Sequence, residues 1–294
     1  MVRSELECVW AAKLSLGEGV IWHGSCLYCV DIKRAEVLAY NPLTDRQMRW
    51  RLPEMVGWIL PRERGGWIAG LRSGVVALTL QDDGASRVEW LHRLHEPTSP
   101  WRLNDAKVGP GGRVWFGSMH DADDTSATGC LYRLDPDLSL HVVERGYCIP
   151  NGPTFSLDGR TMYHTDSGRR VIYAYTLDPH GAVTDRRTWV QFGTADGSPD
   201  GMTTDAQGRI WVAQWGASAV TCRDGETAQV LQRIELPVSQ VTDVCFGGPQ
   251  GKDLYISSAC IGLSADALRA QPLSGGLFRL RGAGSGLAGR SFHG

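Results

Sequence analysis

The stretch Gly112-Arg-Val-Trp115, a glycine turn followed by an aliphatic and an aromatic residue, decides the fold because variants of it recur along the chain. The aromatic positions of the successive copies are Tyr28, Trp67, Trp115, Tyr163, Trp211 and Tyr255. They lie roughly 40 to 50 residues apart, which is the length of one blade in a β-propeller. The repeat therefore predicts an all-β fold, a six-bladed β-propeller with four antiparallel strands in each blade.

The chain ends add a closure, a helix and a tail to this prediction. Residues 5–10 form a strand signal without a unit of its own, so we expect this N-terminal strand to pair beside residues 276–280 and close the last blade. Ser264 has N-cap character and predicts a short helix within 264–271. No linker divides the chain, which favours one propeller domain over residues 1–281 rather than two sandwiches. The Gly- and Ser-rich residues 282–294 are expected to form a flexible C-terminal tail.

Composition removes several classes of protein. The 294 residues carry 30 Lys and Arg against 32 Asp and Glu, so no basic field favours nucleic acid. No apolar run approaches the roughly 18 residues of a spanning helix, and residues 1–10 do not resemble a secretory signal. We therefore expect a cytoplasmic protein, a monomer, without nucleic-acid or membrane partners. The eight cysteines are scattered among apolar strand residues, which is typical of reduced core thiols.

Polar residues recur at one position of the repeat, 10 to 12 residues before the aromatic, and these are Glu18, Asn104, Asn151 and Asp200. In a propeller this position falls on the innermost strands, so the side chains should converge at one mouth of the central channel. Oxygen ligands without histidine or thiolate favour Ca, Mg or Mn. Asn-Gly and Asp-Gly are also common turn dipeptides, so the alternative is that these residues only form turns.

The segments around these residues resemble the regucalcin and gluconolactonase family. The matching pieces, in chain order, are Leu16-Gly-Glu-Gly-Val-Ile-Trp22, Arg102-Leu-Asn-Asp105, Pro150-Asn-Gly-Pro153 and Pro199-Asp-Gly-Met202. Two further pieces, Gly19-Val-Ile-Trp-His-Gly24 and Met162-Tyr-His-Thr-Asp166, are most similar to bacterial sugar-acid lactonases of the xylonolactonase type. The resemblance implies a six-bladed propeller, in agreement with the repeat.

The resemblance also implies roles for single residues. Glu18, Asn151 and Asp200 match the family's ligands to one divalent metal ion. Arg102 and Asn104 match residues that contact a sugar lactone, and Asp105 lies beside them. The likeness to xylonolactonases favours Fe(II), while Mn, Zn and Ca are also associated with the family.

One loop departs from the family pattern. Regucalcin-type members carry a Glu-Glu pair after the methionine that corresponds to Met119, whereas this chain has His120-Asp121. The polar loop 120–129 is therefore either a lid over the site or a solvated connection.

The resemblance implies a metal-dependent hydrolase that opens a small-molecule sugar lactone. The expected substrate is an aldonolactone, in particular a pentonolactone such as xylonolactone or arabinonolactone; a gluconolactonase or a broad-specificity lactonase is the nearest alternative. We assign Asp200 as the general base, since it is the short carboxylate expected beside the metal.

Two other classes stay open. A non-catalytic calcium-binding regulatory propeller would have no need of Arg102 and Asn104. An interaction propeller of the WD or kelch kind would carry repeat signatures that are missing here. The chain also lacks the G-x-S-x-G elbow of a serine esterase.

Overall fold

Six four-stranded antiparallel sheets make up the computed structural model of the chain, which describes residues 5–294. Blades 1 to 3 consist of β2 (Gly17–His23), β3 (Cys26–Asp31), β4 (Glu36–Asn41) and β5 (Arg46–Arg51); β6 (Val56–Pro61), β7 (Trp67–Leu71), β8 (Gly74–Leu80) and β9 (Ser86–Arg93); and β10 (Trp101–Val108), β11 (Val114–His120), β12 (Gly129–Leu134) and β13 (Leu140–Tyr147). Blades 4 and 5 consist of β14 (Pro150–Phe155), β15 (Thr161–Asp166), β16 (Val171–Leu177) and β17 (Val183–Gln191); and β18 (Ser198–Thr204), β19 (Ile210–Trp215), β20 (Ala219–Arg223) and β21 (Val230–Glu235). The predicted six-bladed propeller is confirmed.

Blade 6 joins the two ends of the chain. It consists of β22 (Val241–Gly247), β23 (Asp253–Ser258), β24 (Leu277–Leu280) and the N-terminal strand β1 (Leu6–Trp10), which pairs antiparallel with β24. Across this pair the Nε of Arg279 donates to Oε1 of Glu7 at 2.7 Å. The predicted closure by the N-terminal strand is therefore confirmed.

One short helix, α1 (Ala265–Ala270), precedes the last strand. The Oγ of Ser264 accepts the backbone N–H of Ala267 at 3.2 Å, which confirms the predicted N-cap. Within the described part of the chain, no helix has the length and apolarity that crossing a membrane requires.

The core lies between the blades. Six clusters of buried side chains each join two neighbouring blades around the ring. The repeat aromatics contribute to them, and Trp115 and Trp211 are 1% and 0% exposed. A blade packed on both faces needs apolar residues on both, which explains the continuous apolar runs in its second strand. All eight cysteines are free, and five of them are buried.

The C-terminal tail differs from the expectation of a flexible segment. Phe292 is fully buried in the cluster between blades 2 and 3, and its N–H donates to the carbonyl of Pro61 at 2.8 Å. Gly286 donates to the carbonyl of Gly251 at 2.8 Å. Burying one phenylalanine side chain stabilises the docked tail by about 2 kcal/mol. The prediction of a flexible tail rested on the Gly and Ser content and did not consider this contact.

Candidate metal and substrate site

The first strand of each blade contacts the first strand of the next blade, so these six strands surround the central channel. Each has an irregular register with its neighbouring strand at a similar level, for example between Glu18 and Ile21 and between Asn151 and Thr154. A bulge of this kind re-aims side chains next to a site. The strands also approach closely here, because a Cβ on Gly201 would lie 2.1 Å from Oδ1 of Asp243.

A cavity of about 340 Å³ opens where these strands begin. Five of the predicted site residues line it: Glu18, Arg102, Asn104, Asn151 and Asp200. Each of them is at most 6% exposed. Residues from four blades that are distant in sequence therefore meet in one buried polar pocket.

Asp105 is the predicted site residue that the structure does not bring to the cavity. Its Oδ2 accepts the N–H of Gly152 at 2.6 Å, and its Oδ1 accepts the N–H of Ala106 at 2.7 Å. Asn104 lines the cavity and Asp105 does not, because these bonds hold the Asp105 carboxylate against the backbone of Gly152 and Ala106. Both carboxylate oxygens of Asp105 are thus used within the protein, and its contact with the substrate stays a prediction.

Asp121 anchors Arg102 from the loop 120–129. Its Oδ1 accepts Nε of Arg102 at 2.6 Å and Nζ of Lys33 at 2.6 Å, and Arg72 lies 3.7 Å from its Oδ2. Burial alone would raise the pKa of Asp121, but these cations hold it below its usual value. This role of Asp121 was not predicted from the sequence, although the residue belongs to the loop that departs from the family pattern.

A chain of hydrogen bonds continues from Arg102 across the pocket. Nη1 of Arg102 donates to Oδ1 of Asn104 at 2.5 Å, and Nδ2 of Asn104 donates to Oδ1 of Asn151 at 2.5 Å and to the carbonyl of Pro150 at 2.9 Å. Nδ2 of Asn151 donates to Oγ of Ser167 at 2.9 Å. Asn104 thus uses both N–H groups within the protein, and its geometry is that of a residue that orients Asn151.

Burial and repulsion by neighbouring carboxylates destabilise the charged forms of the two carboxylates of the pocket. Burial, followed by repulsion from Asp105 and Asp243, raises the pKa of Asp200 well above its usual range. Burial and repulsion from Asp200, Asp105 and Asp243 raise the pKa of Glu18 in the same way. Oε2 of Glu18 and Oδ1 of Asp200 are buried without a hydrogen-bond partner in the described structure. Such orphaned anionic oxygens are the electrostatic environment that a cation relieves.

A divalent cation fits this set of donors. The orphaned oxygens of Glu18 and Asp200, with the carboxamide oxygen of Asn151, would supply three oxygen ligands, which suit hard cations such as Ca, Mg or Mn. Within residues 5–294 no cluster of three His, Cys, Asp or Glu side chains has a metal-binding arrangement, so the set depends on Asn151 as its third member.

A second layer of charge lies below the pocket. Burial alone would lower the pKa of Lys107, but attraction to Asp243 and Asp105 raises it above its usual value. Burial raises the pKa of Asp243 to about 7, although Lys107 counteracts the shift. Lys107 therefore offsets part of the negative charge of Asp105 and Asp243, a role that was not predicted from the sequence.

Three cavity residues that were not predicted from the sequence lie at or just beyond the ends of the second strands. Ser167 follows β15, Trp215 ends β19, and Arg170 lies in the turn after β15. Their common signal in the sequence is a position four to seven residues after the repeat aromatic. Asp124 and Thr125 also line the cavity, so the loop 120–129 forms part of its wall.

The chain is similar to known proteins both in sequence and in structure. Residues 16–260 match the family model described as the SMP-30/Gluconolactonase/LRE-like region. The chain belongs to this family. The chain is similar to the regucalcin of Xenopus laevis, to which it is 33% identical over 299 residues that cover 99% of both chains.

Solved structures similar to this SMP-30/gluconolactonase family member extend the comparison. One is described as a luciferin-regenerating enzyme; it is 28% identical, has a TM-score of 0.92, and the match covers 99% of both chains. Another is a regucalcin from Agrobacterium tumefaciens described as a calcium-binding protein, with 24% identity, a TM-score of 0.91, and coverage of 99% and 98%. At that identity the second likeness shows the fold alone. The predicted family is confirmed, and the finer likeness to xylonolactonases stays a prediction.

Proposed function

We propose that the protein is a metal-dependent sugar lactone hydrolase that opens an aldonolactone, first of all a pentonolactone such as xylonolactone or arabinonolactone, to the aldonic acid. The observation that carries the proposal is the pair of orphaned oxygens on Glu18 and Asp200, beside the guanidinium of Arg102, in one buried cavity. A cation site alone would not need that guanidinium. We further propose that it acts as a cytoplasmic monomer on small molecules.

Hydrolysis adds water to the lactone carbonyl carbon and breaks its bond to the ring oxygen, which takes up a proton; the products are a carboxylate and a released proton. When bound, a divalent cation would polarise the carbonyl and lower the pKa of water toward about 7 from about 15.7. Asp200 is the proposed base that accepts the proton of the attacking water. The pKa of Asp200 is raised in the metal-free protein, and a bound cation would lower it, so the base assignment rests on the place of Asp200 in the cavity rather than on that shift.

Arg102 has one guanidinium nitrogen left for the substrate. Its Nε and Nη1 bond Asp121 and Asn104, whereas Nη2 has no hydrogen-bond partner among residues 5–294. A guanidinium held on one side is pre-oriented, so it would position the lactone oxygens with little loss of side-chain entropy. Asn104 acts beside it by fixing the direction of the Asn151 oxygen.

Proton release at constant pH tests the proposal. Metal-stripped protein is supplied with Fe(II), Mn, Zn or Ca and assayed on xylono-, arabinono-, glucono- and galactonolactone above the spontaneous rate. We expect metal-dependent hydrolysis, and we expect Asp200→Asn to lose about 100-fold or more in kcat. Full activity of Asp200→Asn with normal metal content would remove the base assignment.

A second candidate is a calcium-binding regulatory propeller without turnover. The all-oxygen donor set favours it, because such ligands suit calcium. Tight calcium binding without acceleration of any lactone would support this candidate and overturn the hydrolase.

A further inference from the structure

Arg170 lies in a turn that is held by Asp166 and by backbone hydrogen bonds, and the side chain of Arg170 takes no part in them. The carboxylate of Asp166 accepts the N–H groups of Cys148 and Ile149, each at 3.2 Å, and so joins the turn to the start of β14. The carbonyl of Arg170 accepts the N–H of Phe192 at 2.8 Å. The backbone of this turn is therefore held from both sides.

The repeat supplies an internal comparison for this position. Blade 1 has the same turn, in which Asp31 accepts the N–H groups of Ser15 and Leu16 at 2.7 and 3.2 Å. Ala35 occupies the place of Arg170 there, with φ of 55° against 54°. In blade 5 the place is taken by Ser218, with φ of 52°. The left-handed position accepts a small side chain, so the fold does not require an arginine.

The position of Arg170 relative to the pocket is what distinguishes it. The residues that line the cavity include Arg170 but neither Ala35 nor Ser218. Within residues 5–294 the side chain of Arg170 makes no hydrogen bond and no ion pair, whereas Arg102 is held by Asp121. The acidic Asp124, which lines the same cavity, is exposed and forms no ion pair with Arg170 in the described structure.

We propose that Arg170 is a specificity-determining residue, which binds a carboxylate or phosphate carried by the lactone at the end distant from the reacting carbonyl. This inference rests on the proposed lactonase function and names the substrate class of the same site. A guanidinium forms two parallel hydrogen bonds with either anion, and such charge-assisted pairs are about twice as strong as neutral ones. Lactones with an acidic far end are therefore hydrolysed with a higher kcat/KM than neutral lactones of the same ring, which extends the substrate class beyond the neutral pentonolactones proposed above.

Two lactones that differ only at that end provide the test. D-glucaro-1,4-lactone carries a carboxylate where D-glucono-1,4-lactone carries a hydroxymethyl group. With the metal-loaded protein we expect a higher kcat/KM for the acidic lactone. In Arg170→Ala, which reproduces the residue found at Ala35, the ratio of the two kcat/KM values should fall about tenfold or more.

Two control variants separate a contact from a general charge effect. Arg169→Ala removes the same charge one residue away, from a side chain that is paired with Asp166, and should leave the ratio unchanged. Asp124→Asn removes an anion from the cavity wall and should raise the ratio.

Three outcomes would overturn the assignment. The first is a wild-type protein that hydrolyses the neutral lactone at least as well as the acidic one, with a ratio that Arg170→Ala does not change; the lactonase function would then stand without this inference. The second is an equal loss on both lactones in Arg170→Ala and Asp124→Asn, which would indicate that the pair holds the loop 120–129. The third is no hydrolysis of any lactone, which overturns the proposed function and this assignment with it.

Discussion

Replacing Asp200 by Asn should stabilise the protein when no metal is bound, although it removes the proposed base. Asp200 is 4% exposed, and its Oδ1 has no hydrogen-bond partner within the described residues. Burial and repulsion from Asp105 and Asp243 raise its pKa well above its usual value. An uncharged amide of the same shape escapes both effects.

The sign of the effect follows from proton linkage. Because the native state binds the Asp200 proton more tightly than the unfolded state, the metal-free protein loses stability as the pH rises above the ordinary pKa of 3.8. At pH 7 this loss is at most about 4 kcal/mol, since one pH unit is worth about 1.4 kcal/mol. At pH 5 it is below about 2 kcal/mol by the same relation.

The assay is urea unfolding with a chelator present, at pH 7 and at pH 5. Asp200→Asn should exceed the wild type in free energy of unfolding at pH 7, and the difference should shrink at pH 5. Added metal should narrow the difference, because a ligand at 100 times its Kd stabilises the native wild type by about 2.7 kcal/mol and the variant binds it less well. A variant that is no more stable than the wild type at pH 7, or an advantage that does not depend on pH, would refute the reasoning.

Three further predictions concern other parts of the molecule. Asp121→Asn should cost about 2 kcal/mol in urea unfolding, because it leaves the buried Arg102 without its carboxylate; Asp123→Asn, on the exposed side of the same loop, is the control, and equal stability of the two variants would contradict the anchoring role. Phe292→Ala should cost about 3 to 5 kcal/mol while the activity of the folded fraction is kept, since Phe292 is fully buried and does not line the cavity of the site; an unchanged midpoint would show that the tail is not docked. Burial lowers the pKa of His164 to about 3, so the wild type should lose about 2 kcal/mol more than His164→Phe between pH 7 and pH 5, because the unfolded chain takes up a proton that the native protein refuses; parallel pH profiles of the two proteins would contradict this.

The fold was predictable because the repeat sets both the number of blades and the phase of each strand. Tyr28 and Tyr255 lie on the second strands of blades 1 and 6, as the spacing of the aromatics required. The same phase located Glu18 and Asp200 on innermost strands. The tail around Phe292 belongs to no repeat unit, so the repeat could not predict that it docks against the propeller.

The site was less predictable because the residues around the predicted ligands are set by contacts in three dimensions and not by their position in the repeat. Asp121 reaches Arg102 from a loop whose path the repeat does not determine. Asp105 lies next to Asn104 in the sequence, yet it bonds the backbone of Gly152 instead of facing the cavity. Lys107 becomes relevant only once Asp105 and Asp243 are known to lie near it.

The pairing of β1 with β24 has a consequence for synthesis on the ribosome. Leu6–Trp10 precedes all the other strands of the propeller in the chain, and its partner Leu277–Leu280 follows them all. During translation this strand therefore has an unsatisfied edge until all the other strands of the propeller have been made, while the blades between β1 and β24 can already pair locally. The ring therefore cannot close before residues 277–280 have been made, and a nascent chain that stops before residue 277 presents two open edges to its neighbours on the polysome.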